Sequence, residues 1–567
     1  MKSQLTTVVK EILIQELEVS DEGISVTWQQ PEDSDHGDLA TPIALQVAKE
    51  IGRSPKEIAQ SLVEHVGKVE GVERAEVAGA GYVNVWLQPH VLVASLAEVS
   101  HACTAQSVRK EDPLIVDYSG PNIAKPLGIH HILSTVIGQA IINLERHSGS
   151  NVVGWNYLGD WGTQFGKLAI AYEKWGDGKP ASKHSLDELL ALYVRFHEEV
   201  EKDEKLEEEG RAAFAKLESG DVQLREFWQY VVAVTKKALG EMYERLHVSI
   251  DVETGESFYE DKMAPILEEG IKKKVFVEGE KGALIVKFPE EQDLPPFMVR
   301  KGDGSTLYST RDLAMVRYRI DEYHPRGIEY VVDVAQSLHF KQLFEVVKLL
   351  GWDVPHIEHL VFGRMRFKDG SMSTRKGTSL KLEEVLDEAV QRASKQIENH
   401  GDEVQTDDPD ALAEMMGVGA VIYGVLGQNR KKDMVFDWDT ALALDGNSAP
   451  YLQYTHARAR SVLRKADVKN AKLPDAVTEL SSHERALINA LQRFPSALEE
   501  ARATRMPHIL AHALFSLCQA FNAFYNVDPI LKAPEPQREL RLSLTSLVAS
   551  VLRTGAELLC IQVPERM

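Results

Sequence analysis

One junction limits what this chain can fold into. Residues 116–139 read V-D-Y-S-G-P-N-I-A-K-P-L-G-I-H-H-I-L-S-T-V-I-G-Q. The apolar run Pro113–Val116 breaks into polar and glycine residues, then into a helical pattern opened by His130 and His131. A buried parallel strand feeding a helix N-terminus has this form. Such a junction offers free backbone N–H groups and a positive dipole end to an anion. Imidazoles placed there can contact a nucleotide's phosphates.

The 567 residues leave room for roughly three to four domains of about 150 each. Apolar residues make up 44% and charged residues 26%, which suits a globular chain with a sizeable core. No apolar run is expected to reach the ~20 residues of a membrane helix. The N-terminus runs into an amphipathic pattern carrying Glu11 and Glu16, unlike a signal peptide. Cys103, Cys518 and Cys560 are far apart and form no C-x-x-C, so neither a disulfide framework nor a structural zinc is expected, and a reducing cytoplasm fits. A net charge of −22 argues against bulk electrostatic capture of nucleic acid but leaves room for a local basic face. Acidic residues concentrate in Glu198–Glu218, which reads as a solvated helical insertion.

Residues 1–105 read as a small α/β domain. Leu5, Val8, Val9, Ile12 and Leu17 make a helical stripe, and Ser54-Pro-Lys-Glu57 is a capping box with proline at the first helical position. Val72–Leu87 reads as two short strands around a glycine turn, and His101–Asp112 as a linker. Over residues 113–405, strand signals at Asn151–Trp155, Ala283–Phe288 and Glu329–Asp333 alternate with helical ones such as Leu338–Leu350, split by a charged helical insertion at about 170–290. That alternation predicts an α/β fold with a doubly wound, Rossmann-like parallel sheet, binding ligands at the carboxyl ends of its strands. Residues 406–567 are helical throughout. The stripes Leu510, Leu514, Leu517, Phe521, Phe524 and Leu544, Val548, Val551, Leu552, Leu559, parted by Pro534 and Pro536, predict an all-α bundle.

Three further stretches carry chemistry. Phe367–Thr378 is a loop rich in glycine and cations, including Arg375 and Lys376, which by itself is a weak phosphate signal. Tyr308 and Asp312 are four apart and share a helix face. By itself that pair reads as an ordinary surface turn of helix. Gly446–Lys465 places Tyr451, Tyr454, Arg458, Arg460, Arg464 and Lys465 on a helix with few acids, a pattern open equally to packing and to nucleic-acid contact.

Together these stretches resemble the class I aminoacyl-tRNA synthetases, and the arginyl family in particular. Gly128-Ile-His-His131 resembles the first class I signature, H-I-G-H, inside an arginyl-like S-x-P-N-x-A-K-P frame. The usual first histidine is Gly128 and the usual glycine is His130, while His131 matches the last histidine. Either the adenine packs differently here, or His130 takes over the missing imidazole's task. The glycine- and cation-rich loop resembles the second signature, K-M-S-K-S, in an M-S-x-R-K-G form, with Ser371 and Thr374 in place of both lysines. Leu558–Met567 resembles the arginyl terminal motif, and His36–Pro42 with Val77–Val85 resembles the arginyl extra domain that leans on the tRNA corner.

The resemblance implies an arginine–tRNA ligase. It would activate arginine with Mg-ATP and pass it to the 3′ end of its tRNA, and would need tRNA present for the first step. It places catalysis on His131, His130, Lys125, Arg375 and Lys376. Arginine would meet Asn122, Glu256, Tyr308, Asp312 and Gln336. ATP would meet Gly128, His130, His131, Met372 and Ser373, and tRNA would meet Tyr451, Tyr454, Arg458 and Met567. It implies no tightly bound cofactor or resident metal, no membrane partner, and a monomer. The rival is a tRNA-binding protein that has lost catalysis, motivated by the altered signatures. A cysteinyl-type ligase is disfavoured by the carboxylate acceptor and the lack of zinc ligands.

Overall fold

The computed structural model describes residues 1–17, 19–20, 24–31, 36–368, 380–401, 404–468, 472–474 and 477–567. Its first part holds α1 (Lys2–Gln15), β1 (Leu39–Thr41), α2 (Ile43–Ile51), α3 (Pro55–Val66), β2 (Val72–Ala78), β3 (Tyr82–Leu87) and α4 (Pro89–Ala102). β2 and β3 form the expected antiparallel hairpin, with β1 on the other side of β3. Ser54 Oγ accepts from Glu57 N (3.3 Å) and Glu57 Oε2 from Ser54 N (3.1 Å), so the capping box forms as read.

The central part is an all-parallel five-stranded sheet. It runs through β4 (Leu114–Asp117), α5 (His131–His147), β5 (Val152–Leu158), α6 (Thr163–Trp175), α7 (Leu186–Val200), α8 (Lys205–Glu218), α9 (Val222–Arg245), β6 (Val252–Gly255), α10 (Met263–Lys272), β7 (Val277–Glu278), β8 (Leu284–Val286), β9 (Phe297–Arg300), α11 (Tyr308–Tyr323), β10 (Gly327–Tyr330), α12 (Ser337–Leu349), β11 (Ile357–His359) and β12 (Met365–Phe367). Strand order is β11-β10-β4-β5-β6, with the first strand in the middle, as doubly wound sheets require. Every residue of β4 is buried, which explains its unbroken apolar run. Two details depart from the sequence reading. The Ala283–Phe288 signal forms β8 of a separate antiparallel sheet, β7-β8-β9. β6, inside the stretch read as insertion, is an edge strand of the main sheet.

The last part holds α13 (Leu382–His400), α14 (Pro409–Leu426), β13 (Met434–Phe436), α15 (Trp438–Ala441), α16 (Ala449–Lys465), α17 (Ser482–Thr504), α18 (Pro507–Val527) and α19 (Gln537–Leu558). Both predicted stripes are buried. β13 interrupts the helices to pair with β12, a strand that the sequence reading missed. The expectation of no long apolar run needs correcting for α14. Its 18 residues, with mean hydropathy 1.3, are long and apolar enough to cross a membrane, yet 67% of them are buried inside this protein against its own helices. Cys103, Cys518 and Cys560 are all free.

Candidate active site

Tyr118 follows β4, and its hydroxyl donates to Ser249 O (2.9 Å). The chain then turns through left-handed Ser119 (φ 70°), Gly120 (φ 59°) and Ala124 (φ 67°). Ser134 Oγ and Asn156 Oδ1 accept from the backbone of Ser119 (2.9 Å) and Gly120 (3.0 Å) and pin that turn. Asn122 lies beside Gly159 at the end of β5, with Ile123 N donating to Gly159 O (3.0 Å). A Cβ on Gly159 would come within 2.2 Å of Asn122 Oδ1, so a larger residue there would displace the Asn122 amide.

His130 caps α5 and His131 opens it, with ring centroids 4.0 Å apart. His131 Nδ1 lies 3.0 Å from Gly128 N and 3.2 Å from Gly128 O, so the backbone of Gly128 holds the ring. Burial and the neighbouring His130 push His131 down to about 4, so it is a neutral donor at pH 7. Burial also lowers His130, against the pull of Asp333. Backbone bonds then stitch this signature to the residues that follow the second one: Ile129 N donates to Leu380 O (2.9 Å) and Leu382 N to Leu127 O (2.8 Å). The first signature is therefore bonded to backbone about 250 residues further along the chain. Met372, Ser373, Arg375 and Lys376 lie outside the described residues. Lys125 is exposed, its ammonium 5.1 Å from the centre of the Tyr193 ring.

A second cluster lines the carboxyl edge of the same sheet. Tyr308 opens α11, 61% exposed, and Asp312 follows one turn later. His339, from the first turn of α12, meets both: its Nε2 is 2.7 Å from Asp312 Oδ2, and its ring centre is 5.2 Å from that of Tyr308. Glu256 follows β6, with Oε2 4.0 Å from Arg311 Nη1. Burial, then Asp312 and Asp160, push Glu256 up to about 7 against the pull of Arg311. The Tyr157 phenol is likewise raised by burial and by Asp312 and Glu256. Burial thus outweighs Arg311 at this cluster, and the neighbouring carboxylates add to the upward push. Gln336 is exposed at the end of the short turn after β10, where Asp333 Oδ1 accepts from Ala335 N (2.7 Å). Sequence reasoning missed His339, Arg311, Tyr157 and Asp160, because none sits in a spaced motif with its partners.

The candidate nucleic-acid residues separate by burial. Tyr451 is inside the bundle, 9% exposed, its hydroxyl accepting from Asn522 Nδ2 (3.1 Å). Arg458 lies between the rings of Tyr454 (4.4 Å) and Tyr525 (4.9 Å) and donates to the Tyr454 hydroxyl. Met567 is half-buried against the core. Arg460 and Arg464 are engaged by Glu565, at 2.8 and 2.7 Å.

Comparison with known proteins settles the family. The profile described as "tRNA synthetases class I (R), catalytic domain" matches residues 93–438. The chain belongs to this arginyl class I synthetase family. Flanking matches are to the "Arginyl tRNA synthetase N terminal domain" over residues 2–87 and the "DALR anticodon binding domain" over 452–567. The chain is 40% identical over 556 residues to the arginine–tRNA ligase of an Exiguobacterium species, covering 97% of each chain. It is 38% identical over 548 residues to that of Alkaliphilus metalliredigens, covering 95% of each. Among solved structures, the arginyl-tRNA synthetase of Thermus thermophilus superposes with a TM-score of 0.78 at 26% identity over the whole of both chains. The α/β class, the Rossmann-like sheet and the helical C-terminal part expected from the strand–helix alternation and the apolar stripes are those observed.

Proposed function

We propose that this chain is an arginine–tRNA ligase. It joins arginine to AMP, displacing pyrophosphate from ATP, and then passes the arginyl group to a terminal ribose hydroxyl of tRNA, releasing AMP. The observation that carries this reading is the pair of carboxylates, Asp312 and Glu256, on the sheet edge that also bears the two histidines.

The proposed roles follow from the chemistry of each group. Asp312 and Glu256 accept from the guanidinium, Tyr308 presents a ring face, and Asn122 and Gln336 hold the amino acid's polar end. When the arginine carboxylate attacks the α-phosphorus, negative charge grows on the phosphate oxygens. His131 and His130 can stabilise it by hydrogen bonding, and Lys125, Arg375 and Lys376 supply fixed charge to the departing pyrophosphate. Gly128, Met372 and Ser373 belong to the ATP surface in this reading, and magnesium arrives with ATP, held mostly by phosphate and water. Tyr454 and Arg458 offer a stacking platform to an unpaired tRNA base, with Met567 alongside and Tyr451 supporting them from within. We assign residues 1–105 to a domain at the tRNA corner, 113–405 to catalysis and 406–567 to the anticodon. We further assign the protein to the cytoplasm, as a monomer.

Arginine-dependent exchange of pyrophosphate into ATP tests the function. Exchange only with cognate tRNA present is expected. Binding of tRNA with no exchange in either condition would mark a catalytically silent protein. His131→Ala should lower kcat about 10²-fold with little change in substrate KM, because its proton matters most as charge develops. A kcat near wild type would remove His131 from the reaction.

Glu256 gives a pH signature. Its ionised form binds a guanidinium, and its carboxyl titrates at about 7. Arginine affinity should therefore rise as pH climbs through about 7 and level off above it, falling by up to about tenfold per pH unit below. Calorimetry near pH 7 should show proton release on arginine binding. An affinity flat from about pH 6 to 8 excludes Glu256 from the pocket.

A further inference from the structure

We infer that His339 is a positioning residue for arginine: it holds one oxygen of Asp312 so that the other faces the incoming guanidinium. The inference rests on Asp312 being the guanidinium acceptor. His339 and Asp312 are 27 residues apart, on different helices, and their side chains are 13% and 15% exposed. Nε2 lies 2.7 Å from Oδ2. Among the described residues Oδ1 of Asp312 makes no hydrogen bond, so one oxygen is held and the other is open.

The ring itself is held on three sides. Its centre lies 5.2 Å from Tyr308, 5.7 Å from Phe297 and 5.6 Å from Phe340. A carboxylate turns easily about its last torsion, whereas a planar guanidinium needs an acceptor oxygen in its own plane. A hydrogen bond from a clamped ring fixes that plane before arginine arrives, so less freedom is lost on binding. The same ring also sets the tilt of Tyr308, the exposed aromatic face of the pocket.

The test compares His339→Leu, His339→Gln, Asp312→Asn and the Leu/Asn double variant in the full chain. Arginine and ATP KM come from pyrophosphate exchange with tRNA present, and arginine Kd from calorimetry. His339→Leu should raise arginine KM and Kd about tenfold and leave ATP KM within about twofold. Glutamine, whose terminal amide can donate from a similar reach, should restore most of the loss. In the Asp312→Asn background, His339→Leu should add nothing, because the carboxylate that it orients is gone. The proposal falls if His339→Leu leaves arginine Kd within about twofold of wild type while Asp312→Asn raises it about tenfold or more, and the pocket reading then stands. It falls equally if leucine and glutamine do the same damage, or if ATP KM rises in step, since simple loss of packing does that. An unchanged arginine Kd in Asp312→Asn overturns the pocket reading itself, and this proposal with it.

Discussion

Replacing Asp312 with alanine is expected to abolish arginine use while ATP binding survives. The pocket then keeps only Glu256, which titrates at about 7, to balance both the substrate cation and Arg311 4.0 Å from it. A hydrogen bond to a charged partner contributes about 1.5–3 kcal/mol, and stranding the other charge in a desolvated site costs more, so arginine KM should rise by about 10²–10³-fold. Folding should be little affected. Among the described residues, the hydrogen bond with His339 is the one contact that the carboxylate gives up. Asp312→Asn separates charge from shape, since it keeps the volume and one acceptor oxygen. The measurement is exchange kinetics against arginine concentration, with ATP affinity read in parallel. An unchanged arginine KM would sink the assignment of this pocket.

Arg505→Met is expected to cost about 3–5 kcal/mol of stability, because it leaves two buried carboxylates short of their main cation. Arg505 sits in the turn between α17 and α18. It reaches Glu329 of β10 through Nε (3.0 Å) and Nη2 (2.8 Å), and Glu145 of α5 through Nη1 (2.6 Å). The Glu145 and Glu329 side chains are 1% and 2% exposed. Arg502 at 3.1 Å from Glu145 and His356 at 3.6 Å from Glu329 remain as weaker partners. Burial pushes the Glu329 carboxyl up, but His356 and Arg505 pull it further down, below its ordinary range. Its contribution is therefore complete above the unfolded value of about 4.5 and is lost as pH falls through the lowered folded value. Urea unfolding near neutral pH should show an earlier midpoint for Arg505→Met and a partial loss for Arg505→Lys, whose point charge cannot grip in two places. A midpoint equal to wild type would mean that water or rearranged neighbours satisfy both acids. The same arginine ties the helical bundle to the helix that begins with His131, so its loss should also lower exchange activity.

Whatever depends on neighbours along the chain was legible in advance. The capping box at Ser54, the hairpin of β2 and β3, the apolar run of β4 and the paired histidines opening α5 are all patterns of residues close together in the chain. The order of motifs along the chain likewise carries the family. Short strands were harder. β6 and β13, of four and three residues, carry no pattern of their own and exist because β5 and β12 offer backbone partners. Tyr451 and Tyr454 look alike in sequence, yet the turn of α16 buries one and leaves the other at the rim beside Arg458. The sequence by itself determined the local elements, their order and the residue types able to do the chemistry. Only the tertiary structure decided that Leu380 and Leu382 bond to the first signature, that His339 holds Asp312, and that Arg505 joins Glu145 to Glu329. Those contacts span from 27 to 360 residues, and a bond across such a distance is set by the packing of whole layers, which no periodicity along the chain records.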